Sequence, residues 1–167
     1  EDYWEEGDTF YRCVQRGKSN ANAVIFCGSA AILRRSALES VGLIATETIT
    51  EDMHTGLRLH AKGWKSAFVH EPLIAAQAAP EISAYFNQRS RWGAGTLSII
   101  KHDNPLTMPG LSLKQRIHYF GSLLGWTGGA SRLVLYLSPI FMLLSDLSPV
   151  ITSKWSLFLG LLLLHLY

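Results

Sequence analysis

At 167 residues with a formal net charge of +2, the chain carries too little positive charge to point to nucleic acid. Its two cysteines, Cys13 and Cys27, supply neither a disulfide framework nor a metal-ligand cluster. The length fits one domain, yet the first part mixes polar and apolar residues whereas the last is dominated by Leu, so two regimes share the chain.

Glu1–Asp8 holds five acidic residues, and with Arg12, Arg16, Lys18 and Asn20-Ala21-Asn22 it is expected to form a solvated surface segment with a turn. Val24–Cys27 and Ala30–Leu33 are predicted strands around a Gly28-Ser29 turn. Ser36 to Glu39 has capping-box spacing and opens a short helix closed by Gly42. The central stretch is Thr48–His60, where the carboxylates Glu51 and Asp52 stand at the start of a predicted helix. Thr48 or Thr50 can cap it, Thr48 and Glu51 have capping-box spacing, and Lys62-Gly63 supplies the stop. Carboxylates suit the positive end of a helix without any catalysis, so the pair alone does not establish a site. Trp64–Val69 reads as another strand with Pro72 at its exit, and the alternation of strands and helices predicts an α/β domain.

Pro80 is placed as the first residue of a helix running toward Ile100, on which Gln88, Arg91 and Trp92 fall at i, i+3 and i+4 and share one face. Arg can clamp phosphate oxygens with two parallel bonds, Gln can donate another, and an indole can stack on a sugar. The same face also suits an amphipathic helix lying on its neighbours. Gly93 and Gly95 indicate close packing or a bend. After Asn104-Pro105 and Pro109-Gly110, Leu111–Tyr119 carries Lys114, Gln115 and Arg116 in an amphipathic pattern suited to a membrane surface. A helix from about Tyr119 to Ser145 is long enough to cross a bilayer, with Trp126 and Tyr136 at interface or packing positions, Pro139 within it and Arg132 snorkelling or facing protein. A short Asp146–Lys154 connection leads to a second apolar run, Trp155–Tyr167, which together read as a membrane hairpin. Lys101, Lys114 and Arg116 before the first span favour a cytosolic N-terminal part. His54 and His60 lack ligand-pair spacing; His54 is expected to support the carboxylates from behind and the other histidines to be structural or superficial.

Phe26-Cys27-Gly28-Ser29, then Thr50-Glu51-Asp52, then Gln88-Arg89-Ser90-Arg91-Trp92, followed by a basic amphipathic segment and apolar runs, resembles the processive family-two glycosyltransferases of the bacterial cellulose-synthase type. The resemblance covers the chain from about Asn20 onward. It implies the C-terminal part of a Rossmann-like A-type α/β glycosyltransferase domain, residues 1–104, followed by an interfacial segment, 105–118, and transmembrane α-helices, 119–167. It further implies that Asp52 is the general base, that Glu51 shapes the site, that Gln88 and Arg91 hold the UDP pyrophosphate, and that Trp92 stacks on the acceptor sugar. Phe26, Cys27, Gly28 and Ser29 would line the acceptor end. The implied partners are a UDP-sugar donor, a growing polysaccharide, the bacterial inner membrane and accessory synthase subunits. The family's two upstream aspartate motifs and its downstream gating loop have no counterpart here, and no Asp-x-Asp occurs. The ligands for Mg2+ or Mn2+ are therefore expected upstream, and the fragment alone is expected to be inactive. Cellulose is the expected product; curdlan, chitin, hyaluronan or another β-linked polymer, and a non-catalytic scaffold, are the alternatives.

Overall fold

The computed structural model describes residues 7, 9–28, 30–71, 73–74 and 77–145. The chain divides into two compact units, Glu1–Trp126 and Thr127–Tyr167. In the first, a π-helical turn, Phe10–Gln15, runs directly into α1, Arg16–Asn20. α2 spans Arg35–Ser40, α3 Glu51–Ala61, α4 Ile82–His102 and α5 Leu113–Gly125. The second unit contributes α6, Gly128–Ser145.

α3 is the central element, with seven of its eleven residues buried. Met53 and Leu57, one turn apart, enter a core with Ala23, Ile99, Leu111, Tyr119 and Leu123, so α3 packs simultaneously against α4 and α5. Both short helices end as their glycines require. Gly42 and Gly63 take positive φ, and Leu43 N–H reaches Leu38 O at 2.7 Å while Trp64 N–H reaches Leu59 O at 3.1 Å, the six-to-one bond of a Schellman ending. Gly110, at φ 86°, touches the end of α3 so closely that a Cβ there would overlap the Ala61 carbonyl oxygen. The Pro105–Leu111 loop is tied down by Arg116, whose guanidinium donates to the carbonyls of Pro105, Leu106, Met108 and Leu111. Arg116, one of the basic residues of the expected amphipathic segment, thus also holds a loop of the fold.

The predicted strands do not form among the described residues. Val24–Cys27 and Trp64–Val69 form no regular element, and side chains supply the partners that a neighbouring strand would give. Gln15 brackets Ile25, donating to its carbonyl at 2.7 Å and accepting from its N–H at 3.1 Å. Asn22 does the same across Trp64 and Ser66, and Ser19 receives Phe68 N–H. Ala30–Leu33 is likewise without a ladder. The N-terminal segment also differs from expectation: Thr9–Asn20 is helical and buries Gln15 and Lys18. Lys18 donates to His118 O at 2.8 Å, and burial lowers its amine to about 8. α2 starts at Arg35 with Arg34 as N-cap rather than at Ser36, and Pro80 lies just before Glu81, the N-cap of α4, rather than inside the helix.

The helix predicted from Tyr119 to Ser145 is two helices separated by a turn at Trp126–Thr127, where Gly125, Gly128 and Gly129 lower helix propensity. α5 opens on the Ser112–Gln115 capping box and runs past the expected end at Tyr119. It buries Gln115, Tyr119 and Leu123 and exposes Leu113, Ile117 and Leu124. α6 exposes Leu133, Val134, Leu135, Leu137, Ile140, Phe141 and Leu144 around Pro139. Among the described residues no helix is long and apolar enough to cross a membrane. Residues 146–167, which hold the predicted connection and second apolar run, lie outside the described residues.

His60 joins three segments of the core: Nδ1 pairs with Tyr119 Oη at 2.7 Å and Nε2 with Ser66 Oγ at 2.8 Å. Burial, with the nearby Lys18 charge adding to it, lowers His60 to about 4. Below its unfolded pKa of about 6.5 the unfolded chain binds a proton that the folded one refuses, so stability falls as pH drops through this window, by on the order of 3 kcal/mol near pH 4. Thermal midpoints of wild type and His60→Gln at pH 7 and pH 4.5 should therefore converge on acidification. An equal loss in both proteins would show that His60 is not the group responsible.

Candidate functional site

The site is assembled at the N-terminus of α3. Thr50 is the N-cap by position, and its carbonyl receives His54 N–H at 3.1 Å, but no side chain caps the helix. The expected capping roles of Thr48 and Thr50 are not taken up: Thr48 Oγ1 pairs with His54 Nδ1 at 3.1 Å, and Thr50 Oγ1 is buried with no hydrogen-bond partner. Asp52 instead supplies a local anchor, with Oδ1 accepting Met53 N–H at 2.6 Å. That bond fixes the carboxylate plane and leaves Oδ2 turned toward Gly28, where a Cβ would stand 3.1 Å from it. Glu51, beside it, is exposed. Burial raises the Asp52 pKa and the Glu51 charge adds to the rise, while the Met53 N–H opposes it.

Phe26, Cys27 and Gly28 form the facing wall. The backbone of Phe26 lies over α3 at Gly56, where an added Cβ would stand 3.9 Å from Phe26 N and 3.5 Å from Tyr119 Oη, ordinary packing distances. Gly28 turns the chain at φ 70°, a left-handed conformation that glycine adopts without strain. Cys27 Sγ lies 3.3 Å from Ile25 O as donor and 3.4 Å from Gln15 Nε2 as acceptor. Burial pushes this thiol up to about 12, with the Asp52 carboxylate contributing and the Gln15 amide opposing, so Cys27 stays a neutral lining group. Ser29 lies outside the described residues.

α4 carries the second half. Gln88 is half-buried, Arg91 exposed and Trp92 40% exposed. Sequence spacing singled out those three, but Arg89 makes the close contacts: its guanidinium lies 5.0 Å from the Tyr85 ring and 4.7 Å from the Trp92 ring. The i−4 and i+3 positions of two aromatics around an arginine were the available signal. Arg89 and Asp52 both bear on the Tyr11 hydroxyl, whose pKa is raised first by burial. Tyr11 stacks on Phe68 with centroids 6.4 Å apart. The structure thus gathers Asp52, Cys27, Gly28 and Tyr11, and brings Arg89 within electrostatic reach of the last.

α4 reaches this position because Gly95 has no side chain, since a Cβ there would stand 2.9 Å from Thr50 Cγ2 and 3.1 Å from Thr50 N. Just after α4, Asp103 Oδ2 receives Arg58 Nε at 2.6 Å and pairs with His54 Nε2 at 2.8 Å, while the Arg58 guanidinium grips Glu47 with two bonds. Burial disfavours the Asp103 charge, but these two donors overcome it and its pKa is lowered. Burial likewise lowers His54, keeping it neutral between Thr48 and Asp103. Among the described residues no three His, Cys, Asp or Glu side chains come together to hold a metal ion.

Residues 2–167 match the family described as Glycosyl transferase family group 2. The chain belongs to that family. It is 41% identical over 138 residues to the cellulose synthase 1 catalytic subunit [UDP-forming] of Komagataeibacter xylinus, covering 83% of this chain and 18% of that one. It is 42% identical over 129 residues to the cellulose synthase catalytic subunit [UDP-forming] of Xanthomonas axonopodis pv. citri, covering 77% of this chain and 18% of the relative. The chain therefore spans about a fifth of the length of these glycosyltransferases.

The contact between Gly28 and Asp52 yields a direct test in the full-length protein. Gly28→Ala should cost only about 1–2 kcal/mol of stability from its left-handed backbone. Turnover should nonetheless drop roughly tenfold or more, because the new methyl displaces the Asp52 carboxylate. Unchanged turnover in a folded variant would separate Gly28 from the site.

Proposed function

We propose that this segment forms the acceptor side of the catalytic centre in a processive, inverting glycosyltransferase that polymerises UDP-glucose into a β-glucan, with cellulose as the product. The observation that carries this reading is Asp52: a carboxylate fixed through one oxygen by Met53 N–H, raised in pKa by burial, and facing the Gly28 wall with the other. Such a group is suited to accept the proton of an incoming sugar hydroxyl. As that oxygen bonds to C1 of the donor glucose, the bond from C1 to the UDP phosphate breaks on the opposite side and UDP leaves with the electron pair. Configuration at C1 is inverted, and the proton resides on Asp52 Oδ2.

In this reading Phe26, Cys27, Gly28 and Ser29 line the acceptor end, Glu51 shapes it, and Trp92 offers an indole surface to the terminal sugar. Gln88 and Arg91 lie one turn apart on α4 and bind the pyrophosphate, where a bidentate guanidinium matches the phosphate oxygens. A divalent ion of the Mg2+ or Mn2+ class would neutralise the diphosphate in such chemistry, but the described residues do not form a site for it, so the steps above rest on protein groups alone. The Rossmann-like sheet, the inner-membrane location with a cytosolic catalytic domain, and the polysaccharide and accessory partners belong to the same proposal. The exposed apolar row Leu113, Ile117 and Leu124 on α5 and the apolar surface of α6 support membrane contact.

The Met53 bond also fits a purely structural carboxylate, and Asp52→Asn distinguishes the two. Asn retains size and the acceptor oxygen but takes no proton, so polymer synthesis in the full-length protein should fall by roughly 10²-fold or more. Near-normal synthesis would leave Asp52 as a helix-terminal anchor. On α4, Arg91→Lys should weaken UDP binding because a point charge replaces the fork, whereas Trp92→Ala should preserve UDP affinity and impair elongation. Calorimetric UDP titration together with product-length analysis reads both effects, and equal UDP affinity in wild type and Arg91→Lys would remove Arg91 from the clamp.

A further inference from the structure

We infer that Gln15 is a positioning residue for the reaction: its amide holds the Ile25–Cys27 backbone in the register that presses Gly28 onto Asp52. The inference rests on Asp52 being the base, and it assigns a role to a residue outside all three motifs. Gln15 is 2% exposed and sits in the π-helical turn Phe10–Gln15. Its three contacts converge on one short segment: Nε2 donates to Ile25 O at 2.7 Å and to Cys27 Sγ at 3.4 Å, and Oε1 accepts Ile25 N–H at 3.1 Å.

These bonds do for the segment what a neighbouring strand does in a sheet. A primary amide presents one donor and one acceptor side by side, matching the paired N–H and C=O of an extended residue. The third contact orients the thiol of Cys27 toward Ile25 O. Among the described residues no backbone ladder reaches this segment, and the Gln15 amide supplies the bonds that hold it over α3. One residue beyond Cys27, Gly28 lies beside Asp52, where an added Cβ would stand 3.1 Å from Oδ2, so this segment packs against one side of the carboxylate. Burying a polar amide this completely is favourable only if all its bonds are made, and here they are made to the wall of the site.

The groups facing Asp52 bound what a change at Gln15 can do. Cys27 stands opposite on the extended segment, Glu51 is the neighbour on α3, and Tyr11 lies on the π-helical turn with Arg89 of α4 near its hydroxyl. Cys27 and Tyr11 remain neutral near pH 7, so loosening the wall acts on Asp52 chiefly by admitting water, which returns its pKa toward the ordinary carboxylate value. The acid limb of the rate should then move to lower pH, a change that global loss of stability does not produce.

The experiment is a pH–rate profile of UDP-glucose turnover in the full-length protein for wild type, Gln15→Met and Asp52→Asn. It is joined to N-ethylmaleimide labelling of the Cys27 peptide read by mass spectrometry. Gln15→Met should lower kcat/KM by roughly 10- to 10²-fold, shift the acid limb downward and speed Cys27 labelling, with UDP affinity retained. An unchanged acid limb and unchanged labelling overturn the inference even if the thermal midpoint falls. If Asp52→Asn keeps the wild-type acid limb, the base assignment fails, whereas Cys27 labelling still reports whether Gln15 holds the wall. Gln15→Asn, which stays neutral but is one methylene too short to reach both Ile25 groups, gives the same readings should Gln15→Met not fold.

Discussion

α4 can lie against the start of α3 only because residue 95 has no side chain. A Cβ at Gly95 would stand 2.9 Å from Thr50 Cγ2 and 3.1 Å from Thr50 N, distances that force one helix to move. This contact sets how α4, which carries the glutamine–arginine–tryptophan motif, lies against the start of α3, where the acidic pair stands. At Gly93 an added Cβ would stand 3.0 Å from the Trp126 ring, so the same stretch of α4 also accommodates the residue after α5. Asp103 then closes the arrangement by taking His54 and Arg58, both from α3, with a single carboxylate oxygen. Two glycines and one carboxylate therefore govern the placement of chemistry they do not perform.

Among the described residues, His54, His60, Gln15 and Lys18 are buried around α3. Each such group costs free energy unless its bonds are made, and the partners here come from distant parts of the chain: Asp103 for His54, Tyr119 for His60, Ile25 for Gln15, His118 for Lys18. Apolar packing is non-directional, whereas these pairs require both a short distance and a near-linear donor. The polar interior thus specifies one position of α3 more narrowly than Met53 and Leu57 could alone.

Features with local causes were legible in the sequence. The Gly63 stop, the α3 helix behind Glu51 and Asp52, the close packing at Gly93 and Gly95, and the three motifs with their family all follow from residue type and short-range spacing. Features with non-local causes were not. The apolar run Val24–Cys27 and the stretch Trp64–Val69 suit strands by residue type, but residue type cannot tell whether a strand or the side chains of Gln15, Asn22 and Ser19 will take their hydrogen bonds. Lys18 sits in a run of charges that reads as solvated, and only its pairing with His118 a hundred residues away makes it internal. Thr48 offered a capping box because spacing along the chain is all such a motif tests; the competing partner was the imidazole of His54.

The α4 motif shows why face-counting reached Arg91 before Arg89. Projecting the helix places Gln88, Arg91 and Trp92 together, and it treats every side chain as a radial spoke. Long side chains fold along the helix, however, and Arg89 bridges the turn between Tyr85 and Trp92 with its guanidinium 4.7 Å from the indole. That contact restricts the rotamers of Trp92 while leaving 40% of it exposed. A sugar platform benefits from such restraint, because a ring already held in place loses less conformational freedom when the ligand arrives. In the proposed site, Arg89 would then contribute to acceptor binding through the stiffness of Trp92, while Arg91, exposed on the same helix, keeps its fork available for phosphate.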